Sequence, residues 1–352
     1  MPLHFRHEVI DPDPPGSEHD IVLLADLTGN GRPDIIIGSK RGDYNLMWYE
    51  NPGWQRYFIA NAPDLEAGGV VHDVNRDGRP DIIAGQQWGH KDLYWFECPP
   101  NPRDLWTKRL IENRFEKYHD QALGDIDCDG EPELVFVSQR SRVLAYYDLP
   151  ADPTVEPWPQ DCFHLIAEGI EDTEGLVICD VDADGRNELL AGPSIYKLSN
   201  CPGGEWHAKH FAPGFTQTRV AAADLTGDGQ LDIVLAEGES NPARLAICSP
   251  PLYEPKLLKT DLFHPHSLAI ADFDLDGKPD IFVAEMGLGQ NPNPRGYIFR
   301  NLGGGRFEET VIWSGIPTHE AKVADLNADG KPDIVGKPYN PERHIDVWWN
   351  EV

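Results

Sequence analysis

Seven nine-residue segments carry oxygen-bearing side chains at positions 1, 3, 5 and 9, which is a pattern that can bind metal ions. Glycine stands at position 6 of each segment, where it permits a sharp turn. The spacing is similar to the opening of an EF-hand loop, in which a backbone carbonyl at position 7 completes the ligand set. Carboxylate and carbonyl oxygens favour Ca²⁺ over zinc or copper. The segments are 26–34, 73–81, 125–133, 180–188, 224–232, 272–280 and 325–333.

We therefore predict several structural calcium ions, one in each segment. The segments at 26–34 and 224–232 have threonine at position 3, and the first also has Asn30 at position 5, so their ligand charge is lower. The alternative is that the segments are solvated Asx turns without metal, above all at 26–34. The predicted ligands are Asp26, Thr28, Asn30, Asp34, Asp73, Asn75, Asp77, Asp81, Asp125, Asp127, Asp129, Glu133, Asp180, Asp182, Asp184, Glu188, Asp224, Thr226, Asp228, Asp232, Asp272, Asp274, Asp276, Asp280, Asp325, Asn327, Asp329 and Asp333.

The spacing of the segments predicts the fold. Their first aspartates recur at intervals of 47, 52, 55, 44, 48 and 53 residues, the length of a four-stranded propeller blade with short turns. Short β-branched and aromatic runs surround each segment, and no stretch has a sustained helical period. In the first blade we expect strands at 21–25, 34–38, 46–50 and 56–60. The sequence thus predicts an all-β, seven-bladed β-propeller with four antiparallel strands per blade.

The two ends of the chain predict how the ring closes. The last blade has candidate strands at 322–324, 333–336 and 345–350, and no fourth strand follows. Residues 4–10 (HFRHEVI) match the fourth strand of other blades and precede the first blade. We expect this N-terminal strand to complete the C-terminal blade, so that residues 1–352 form a single propeller domain without an open edge.

The net charge and the composition limit which binding partners and which cellular location we expect for this protein. With 59 acidic and 30 basic residues the formal net charge is −29, which disfavours binding to nucleic acid or to an anionic membrane. No run of 18 apolar residues could span a bilayer, and the N-terminus lacks the features of a signal peptide, so we expect a cytoplasmic protein. The six cysteines lack metal or redox spacing and are predicted to be free thiols.

A second group of chemistry-bearing residues falls where the innermost strands begin, on the face opposite the acidic loops. Three histidines stand six residues before the first aspartate of their loops, in a ring that also includes Glu174. Imidazole and carboxylate suit a divalent transition metal such as Zn²⁺, Fe²⁺ or Mn²⁺. The alternative is that these polar side chains hydrogen-bond to one another and fill the channel without binding a ligand. The candidate catalytic residues are His119, His266, His319, Arg219, Glu174 and Tyr339.

These residue types could carry out β-elimination on a sugar or uronate. A histidine supplies the base, Arg219 or a metal stabilises the developing enolate, and Tyr339 or a second histidine protonates the leaving oxygen. A glycosidase is a further alternative, because Glu174, Glu237 and Glu285 are all candidates at the same mouth. Trp88, Trp313 and Tyr118 could stack on sugar rings or pack between blades.

The repeated D-x-[DNT]-x-[DN]-G-x-x-[DE] loops between apolar strands resemble the FG-GAP/VCBS calcium repeats of integrin-type propellers, over essentially the whole chain. The WYENPG turn at 48–53, echoed by WFECPP and WWNE, is similar to the propeller of aldos-2-ulose and anhydrofructose dehydratases. Propeller-type polysaccharide lyases are a related comparison. The resemblance implies a carbohydrate lyase or dehydratase with a saccharide substrate. The competing hypothesis is a non-catalytic calcium propeller that binds carbohydrate or protein, as lectins and integrins do.

Overall fold

The chain forms a ring of seven four-stranded antiparallel sheets, in a computed structural model that describes residues 3–171 and 173–352. The first three blades consist of β2 (Ser17–Ala25), β3 (Asp34–Arg41), β4 (Leu46–Glu50) and β5 (Gln55–Ala60); β6 (Val70–His72), β7 (Asp81–Gly85), β8 (Leu93–Glu97) and β9 (Thr107–Glu112); and β10 (Tyr118–Gly124), β11 (Glu133–Ser138), β12 (Val143–Asp148) and β13 (Phe163–Glu168). Within the described residues, the one helical element is a 3₁₀ turn at Gln160–Cys162.

The other four blades repeat the same order. They consist of β14 (Leu176–Cys179), β15 (Glu188–Ala191), β16 (Ser194–Leu198) and β17 (Trp206–His210); β18 (Thr218–Ala223), β19 (Asp232–Glu237), β20 (Ala243–Cys248) and β21 (Pro255–Leu262); β22 (Ser267–Ala271), β23 (Asp280–Ala284), β24 (Arg295–Asn301) and β25 (Phe307–Ser314); and β26 (Glu320–Ala324), β27 (Asp333–Lys337), β28 (Ile345–Asn350) and β1 (Phe5–Asp11). The predicted all-β, seven-bladed architecture is confirmed.

The ring closes through the two ends of the chain, as predicted. Strand β1 pairs antiparallel with β28, and the pairing runs from Phe5 opposite Asn350 to Asp11 opposite Ile345. The first strands of neighbouring blades contact one another all round the axis, β2 with β6 and β26 among them. This inner wall brings the beginnings of seven strands together at one mouth of the channel. The strands extend beyond the expected bounds there, since β2 begins at Ser17 and β3 continues to Arg41.

The hydrophobic core lies between blades rather than within them. Seven clusters of buried side chains fill the seven interfaces between neighbouring sheets. Trp48, Trp95 and Trp348, on the third strands of their blades, are at most 1% exposed. Trp313 stacks on Trp348 with ring centroids 3.9 Å apart, and Tyr118 is fully buried. Trp313 and Tyr118 are therefore packing residues, and only Trp88 of the three candidate sugar platforms is exposed.

Asparagines at the ends of third strands join neighbouring blades. The side-chain amide of Asn301 donates to the backbone carbonyls of Leu225, in the preceding blade, and of Pro279, at 2.8 and 3.1 Å. Asn51 and Asn350 make the same bond to the preceding blade's loop, at its second residue. A buried carbonyl that loses its donor costs free energy, so these amides couple each blade to the next.

One pair of cysteines corrects the prediction of free thiols. Cys128, in the acidic loop of the third blade, forms a disulfide with Cys201, in the turn after β16 of the fourth, and their Cα atoms lie 5.5 Å apart. The pairing spans 73 residues, and only the ring brings the two turns together. The remaining cysteines are free: Cys98, Cys162, Cys179 and Cys248. No helix in the described ranges is long and apolar enough to cross a membrane.

We predict that Asn301→Ala lowers the free energy of unfolding by about 1 to 3 kcal/mol, because it leaves the buried Leu225 carbonyl without its donor. Urea unfolding monitored by tryptophan fluorescence measures the change. The exposed Asn293→Ala is the matched control and should stay within about 0.5 kcal/mol of the wild type. Equal effects of the two substitutions would contradict the role of Asn301 in joining blades.

Candidate functional site

The predicted mouth residues surround one cavity of about 360 Å³, the central cavity, at the beginnings of the innermost strands. His119, His266, His319, Glu174 and Tyr339 line it. The remaining wall consists of Asp20, Lys40, Glu66, Ala67, Lys117, Gln217, Glu239, Met286 and Leu288. The sixth candidate, Arg219, does not line the cavity. It is partly buried, with Nη1 3.3 Å from Asp120 Oδ1 and Nη2 3.9 Å from Glu320 Oε1.

The three histidines form two kinds of contact. The rings of His266 and His319 stack with centroids 4.3 Å apart, and His119 meets His266 edge to face at 5.8 Å. Glu174 lies between two of them, 3.6 Å from His119 Nε2 and 3.7 Å from His266 Nε2. His119, His266 and Glu174 are at most 3% exposed. The histidines of three different blades therefore belong to one polar cluster beneath the cavity.

The three histidines differ in the direction in which their surroundings shift the pKa. Burial disfavours the charged form of His119, but the carboxylates of Glu174 and Asp120 outweigh it and raise its pKa to about 9. Burial and nearby positive groups, including Lys337 at His319, hold the pKa of His266 and of His319 well below the usual value. Lys337 Nζ lies 2.9 Å from His319 Nδ1, and burial lowers the pKa of this lysine to about 8. These groups thus shift the pKa of His119 in the opposite direction from the pKa of His266 and of His319.

A buried ion pair forms the opposite wall of the central cavity. Lys40 Nζ lies 2.7 Å from Asp20 and 3.2 Å from Glu66. It also faces the ring of Tyr339, at 5.2 Å from the centroid. Burial raises the pKa of Tyr339 to about 12, which makes it a weak proton donor at neutral pH. Lys40 and Asp20 belong to the first blade and Glu66 precedes the first strand of the second, so these ion pairs join two blades.

A second depression of about 480 Å³, the mouth depression, adjoins the central cavity, because Lys117 and Gln217 line both. Trp88, in the turn between β7 and β8, is 58% exposed there. The guanidinium of Arg140 lies 4.3 Å from the centroid of the indole. The other residues of the depression are Gln139, Arg142, Glu171 and Thr216. Trp88 belongs to the second blade, whereas Lys117, Arg140 and Arg142 belong to the third blade or the turn that leads into it, so the contact between blades brings these cations to the indole.

Two of the acids considered for a glycosidase hold turns instead. Glu237 receives hydrogen bonds from the backbone and the guanidinium of Arg244. Glu285 accepts from the backbone N–H groups of Phe263 and Arg295. Neither carboxylate is among the described residues that line the central cavity. Of the three acids considered for a glycosidase, Glu174 alone lines the central cavity.

The acidic loops share one hydrogen-bonded geometry. In all seven, the aspartate at position 1 accepts the backbone N–H of the glycine at position 6, as Asp272 does from Gly277 at 2.8 Å. These glycines have φ between 82° and 90°, a conformation that disfavours other residues. The acid at position 9 is buried and accepts the N–H of position 2, as Asp280 does from Phe273 at 3.0 Å. Hydrogen bonds within the protein thus define the shape of the loops.

Three loops bring three carboxylates within metal-binding reach of one another. One oxygen from each member of a set lies within 4.8 Å of the others. The other four loops have asparagine or threonine at position 3, so fewer of their ligands are charged. The donor chemistry fits a hard cation such as Ca²⁺. The three sets are Asp125, Asp127 and Glu133; Asp180, Asp182 and Asp184; and Asp272, Asp274 and Asp276.

The fourth loop differs because a lysine from the same blade enters it. Lys197, on β16, places Nζ 2.6 Å from Asp182, 2.7 Å from Asp184 and 2.8 Å from Glu188. The ammonium group lies among the carboxylates that were predicted to bind calcium. Glu50, Glu97 and Asp148 stand at the corresponding place in the first three blades, opposite the ninth loop residue. The Lys197 ammonium group therefore occupies the place among these carboxylates where the predicted calcium ion would bind.

Comparison with known proteins supports the repeat. A family model described as an FG-GAP-like repeat matches residues 26–84 and 272–336. The chain is 25% identical to mouse cartilage acidic protein 1 and 24% identical to the human protein, over 269 residues and 62% of this chain in each case. The alignments cover 40% and 39% of those proteins, so the chain spans about two fifths of the length of these curated relatives.

Solved structures support the fold alone. The Vibrio cholerae biofilm matrix protein Bap1 superposes with a TM-score of 0.54 and 10% identity, over 100% of this chain and 92% of that one. BBS1N, solved in complex with ARL6DN, superposes with a TM-score of 0.59 and 10% identity, over 98% of this chain and 96% of that one. The chain therefore carries FG-GAP-like repeats on a seven-bladed propeller. The resemblance to sugar dehydratases and lyases stays a prediction.

We predict that chelation of calcium lowers the melting temperature and that added Ca²⁺ restores it. A ligand at about 100 times its Kd stabilises the folded state by about 2.7 kcal/mol per site, and unneutralised carboxylates repel one another. Differential scanning calorimetry in EGTA and in millimolar Ca²⁺ measures the shift. An unchanged melting temperature would mean that the loops are Asx turns without metal.

We predict that Lys197→Met adds one calcium ion per chain to the stoichiometry measured by isothermal titration calorimetry, because it removes the competing ammonium from the fourth loop. Lys91→Met, in the exposed turn between β7 and β8 at the opposite end of its blade, is the matched control and should leave the number unchanged. The same stoichiometry for both variants would refute the competition.

Proposed function

We propose that this chain is a calcium-stabilised, non-catalytic binding propeller that takes an acidic saccharide at the mouth depression and the adjoining central cavity. The observation that carries the proposal is the exposed indole of Trp88 beside three cationic side chains, Lys117, Arg140 and Arg142. Trp48, Trp95 and Trp348 are buried on third strands, so the exposure of Trp88 is a departure from the packing role. Exposed aromatic faces of this kind pack against the apolar faces of sugar rings.

The charge of the mouth depression favours an anionic ligand. Among the described residues that line the depression, Lys117, Arg140 and Arg142 meet one carboxylate, that of Glu171, in a chain whose net charge is −29. A local positive site on an acidic surface concentrates anions where the rest of the molecule repels them. The guanidinium of Arg140 is held against the indole and can pair with a carboxylate or sulfate in a planar geometry. A uronate or sulfated sugar has both features that the site recognises, an apolar ring face and a negative charge.

The arrangement supports binding better than elimination. Arg219, the residue predicted to stabilise an enolate, is already paired with Asp120 and Glu320. Tyr339, the predicted acid, has a pKa raised to about 12 by burial. The comparisons support a repeat found in binding propellers and give no support to a sugar lyase.

Elimination remains the second candidate because of one observation. His266 and His319 are neutral, stand on the central cavity and could accept a proton from a bound sugar. The two hypotheses share a ligand class, an acidic saccharide. They differ in whether the saccharide is changed, and the absorbance of an unsaturated uronate tells them apart.

We also propose an extracellular location in place of the cytoplasm. The bond between Cys128 and Cys201 is of a kind that persists in oxidising compartments. Loops with few charged ligands suit the millimolar calcium found outside cells. One structural neighbour is, by its title, a biofilm matrix protein, which agrees with an extracellular setting for this fold.

We predict that Trp88→Ala and Arg140→Ala each weaken the binding of a galacturonate oligomer at least tenfold, about 1.4 kcal/mol, as measured by isothermal titration calorimetry. The methyl-esterified oligomer, which lacks the charge, should bind more weakly to the wild type and be insensitive to Arg140→Ala.

Tyr44→Ala is the matched control, since Tyr44 is also an exposed aromatic, at 45% exposure, and should not affect binding. Undetectable binding of the acidic oligomer to the wild type would refute the proposal. Binding followed by a rise in the absorbance of unsaturated uronate would establish the lyase instead.

A further inference from the structure

Three buried side chains beneath the central cavity converge on one point. His119, from β10 of the third blade, Glu174, just before β14, and His266, just before β22, each bring one ligand atom to within 4.8 Å of the other two. All three are at most 3% exposed. This cluster is separate from the acidic loops, which lie at the other end of the innermost strands, and its ligand chemistry is nitrogen with oxygen rather than oxygen alone.

The cluster contains polar atoms that no protein group satisfies. In the described part of the chain, neither ring nitrogen of His266 has a hydrogen-bond partner, and Glu174 Oε2 has none either. Buried polar atoms in folded proteins are nearly always paired, so an orphaned imidazole opposite an orphaned carboxylate oxygen calls for a missing partner. A cation between them would satisfy both atoms at once.

The neighbouring residues orient the candidate ligands as they do in metal sites. His119 Nδ1 lies 2.6 Å from Asp120 Oδ2, which directs Nε2 towards Glu174. The Asp120 carboxylate is itself held by the backbone N–H of Gly175 and by Arg219. Glu174 Oε1 receives a hydrogen bond from Gln139 at 3.0 Å. Carboxylate–histidine pairs of this kind fix the tautomer and the ring orientation of metal-binding histidines.

The distances fit a small tetrahedral ion. Zinc–nitrogen and zinc–oxygen bonds of about 2.0 to 2.1 Å place neighbouring ligand atoms roughly 3.3 Å apart. Glu174 Oε1 lies 3.6 Å from His119 Nε2, and Glu174 Oε2 lies 3.7 Å from His266 Nε2, so each ring nitrogen faces one carboxylate oxygen at close to this separation. His319, the third histidine predicted as a ligand, is stacked face-on against His266, and its Nδ1 is bonded to Lys337. It belongs to the wall rather than to the ligand set.

We propose that His119 Nε2, His266 Nε2 and a carboxylate oxygen of Glu174 bind one divalent transition metal of the Zn²⁺ class. Three protein ligands leave a fourth position, which faces the central cavity and can take an oxygen atom of a ligand or water. Glu239 Oε1 stands 3.6 Å from His266 Nε2 on the cavity side and can accept a hydrogen bond from a group at that position. This site goes beyond the saccharide proposal and does not depend on it.

Cobalt and zinc titrations of the full chain test the site. The protein is first treated with chelator and returned to millimolar Ca²⁺, so that the acidic loops are occupied and do not take up the probe. Co²⁺ should then produce the intense visible absorption of a tetrahedral ion at one equivalent, and Zn²⁺ should displace it. No such absorption, or more than one equivalent with the spectrum of an octahedral ion, would overturn the proposal.

The Zn²⁺ affinities of single-substitution variants distinguish the proposed metal ligands from the residues beside them. His266→Ala and Glu174→Gln should each weaken Zn²⁺ binding at least a hundredfold, whereas His319→Ala, at the adjoining stacked ring, should change it less than about threefold. Asp120→Asn keeps the size of its side chain and should weaken Zn²⁺ binding about 10- to 100-fold.

Folding of each variant is checked by its melting temperature in Ca²⁺, and Asp120→Asn provides a second reading if His266→Ala does not fold. Equal Zn²⁺ affinity in His266→Ala and His319→Ala would refute the ligand set. Failure of galacturonate binding with an intact Co²⁺ spectrum would overturn the saccharide proposal alone.

Discussion

The carboxylate at the ninth position of each acidic loop fixes the turn on which the shape of each blade depends. It is buried at the start of the second strand in every blade and accepts the backbone N–H of the second loop residue. In four blades its other oxygen accepts an N–H from the end of the third strand, as Asp333 does from Asn350. One side chain thus ties the loop to three parts of its own blade. The buried acid defines the turn, and a cation would add to a structure that is already shaped.

Because of this arrangement, the two faces of the propeller differ in how far their residues can vary between blades. One face consists of repeated loops whose residues are constrained by the turn and differ little between blades. At the opposite mouth no such constraint acts, so residues such as Lys40, Glu174 and Trp88 are not repeated at the equivalent positions of the other blades. Residues that differ from blade to blade create one asymmetric pocket on the axis instead of seven equivalent sites. Specific recognition is therefore concentrated where the repeat leaves the side chains free to vary.

Most of the fold could be predicted because its signals are local and occur seven times. The loop pattern located every blade, and the expected third strands at 46–50 and 345–350 match β4 and β28. The site was harder, because its contacts join blades that are distant in the chain. Nothing local to Cys128 indicates Cys201, and nothing near Asp182 indicates that Lys197 will enter its loop. The mouth histidines could be found by their place before the strands, but their separate roles depend on Lys337 and Asp120.

The pairing of β1 with β28 determines the order in which the ring can be completed. Phe5 and Asn350 face each other across 345 residues, so the last sheet lacks a strand until both ends of this span are present. During synthesis the ring stays incomplete until the last blade has been made. The backbone groups of β1 therefore have no partner strand while the other sheets form. Closing so long a span carries a large entropic cost that is recovered only at the final step. A ribosome-bound chain that has not yet released β28 therefore exposes β1 and the edge of β27 without their partner strand, which makes it prone to aggregation.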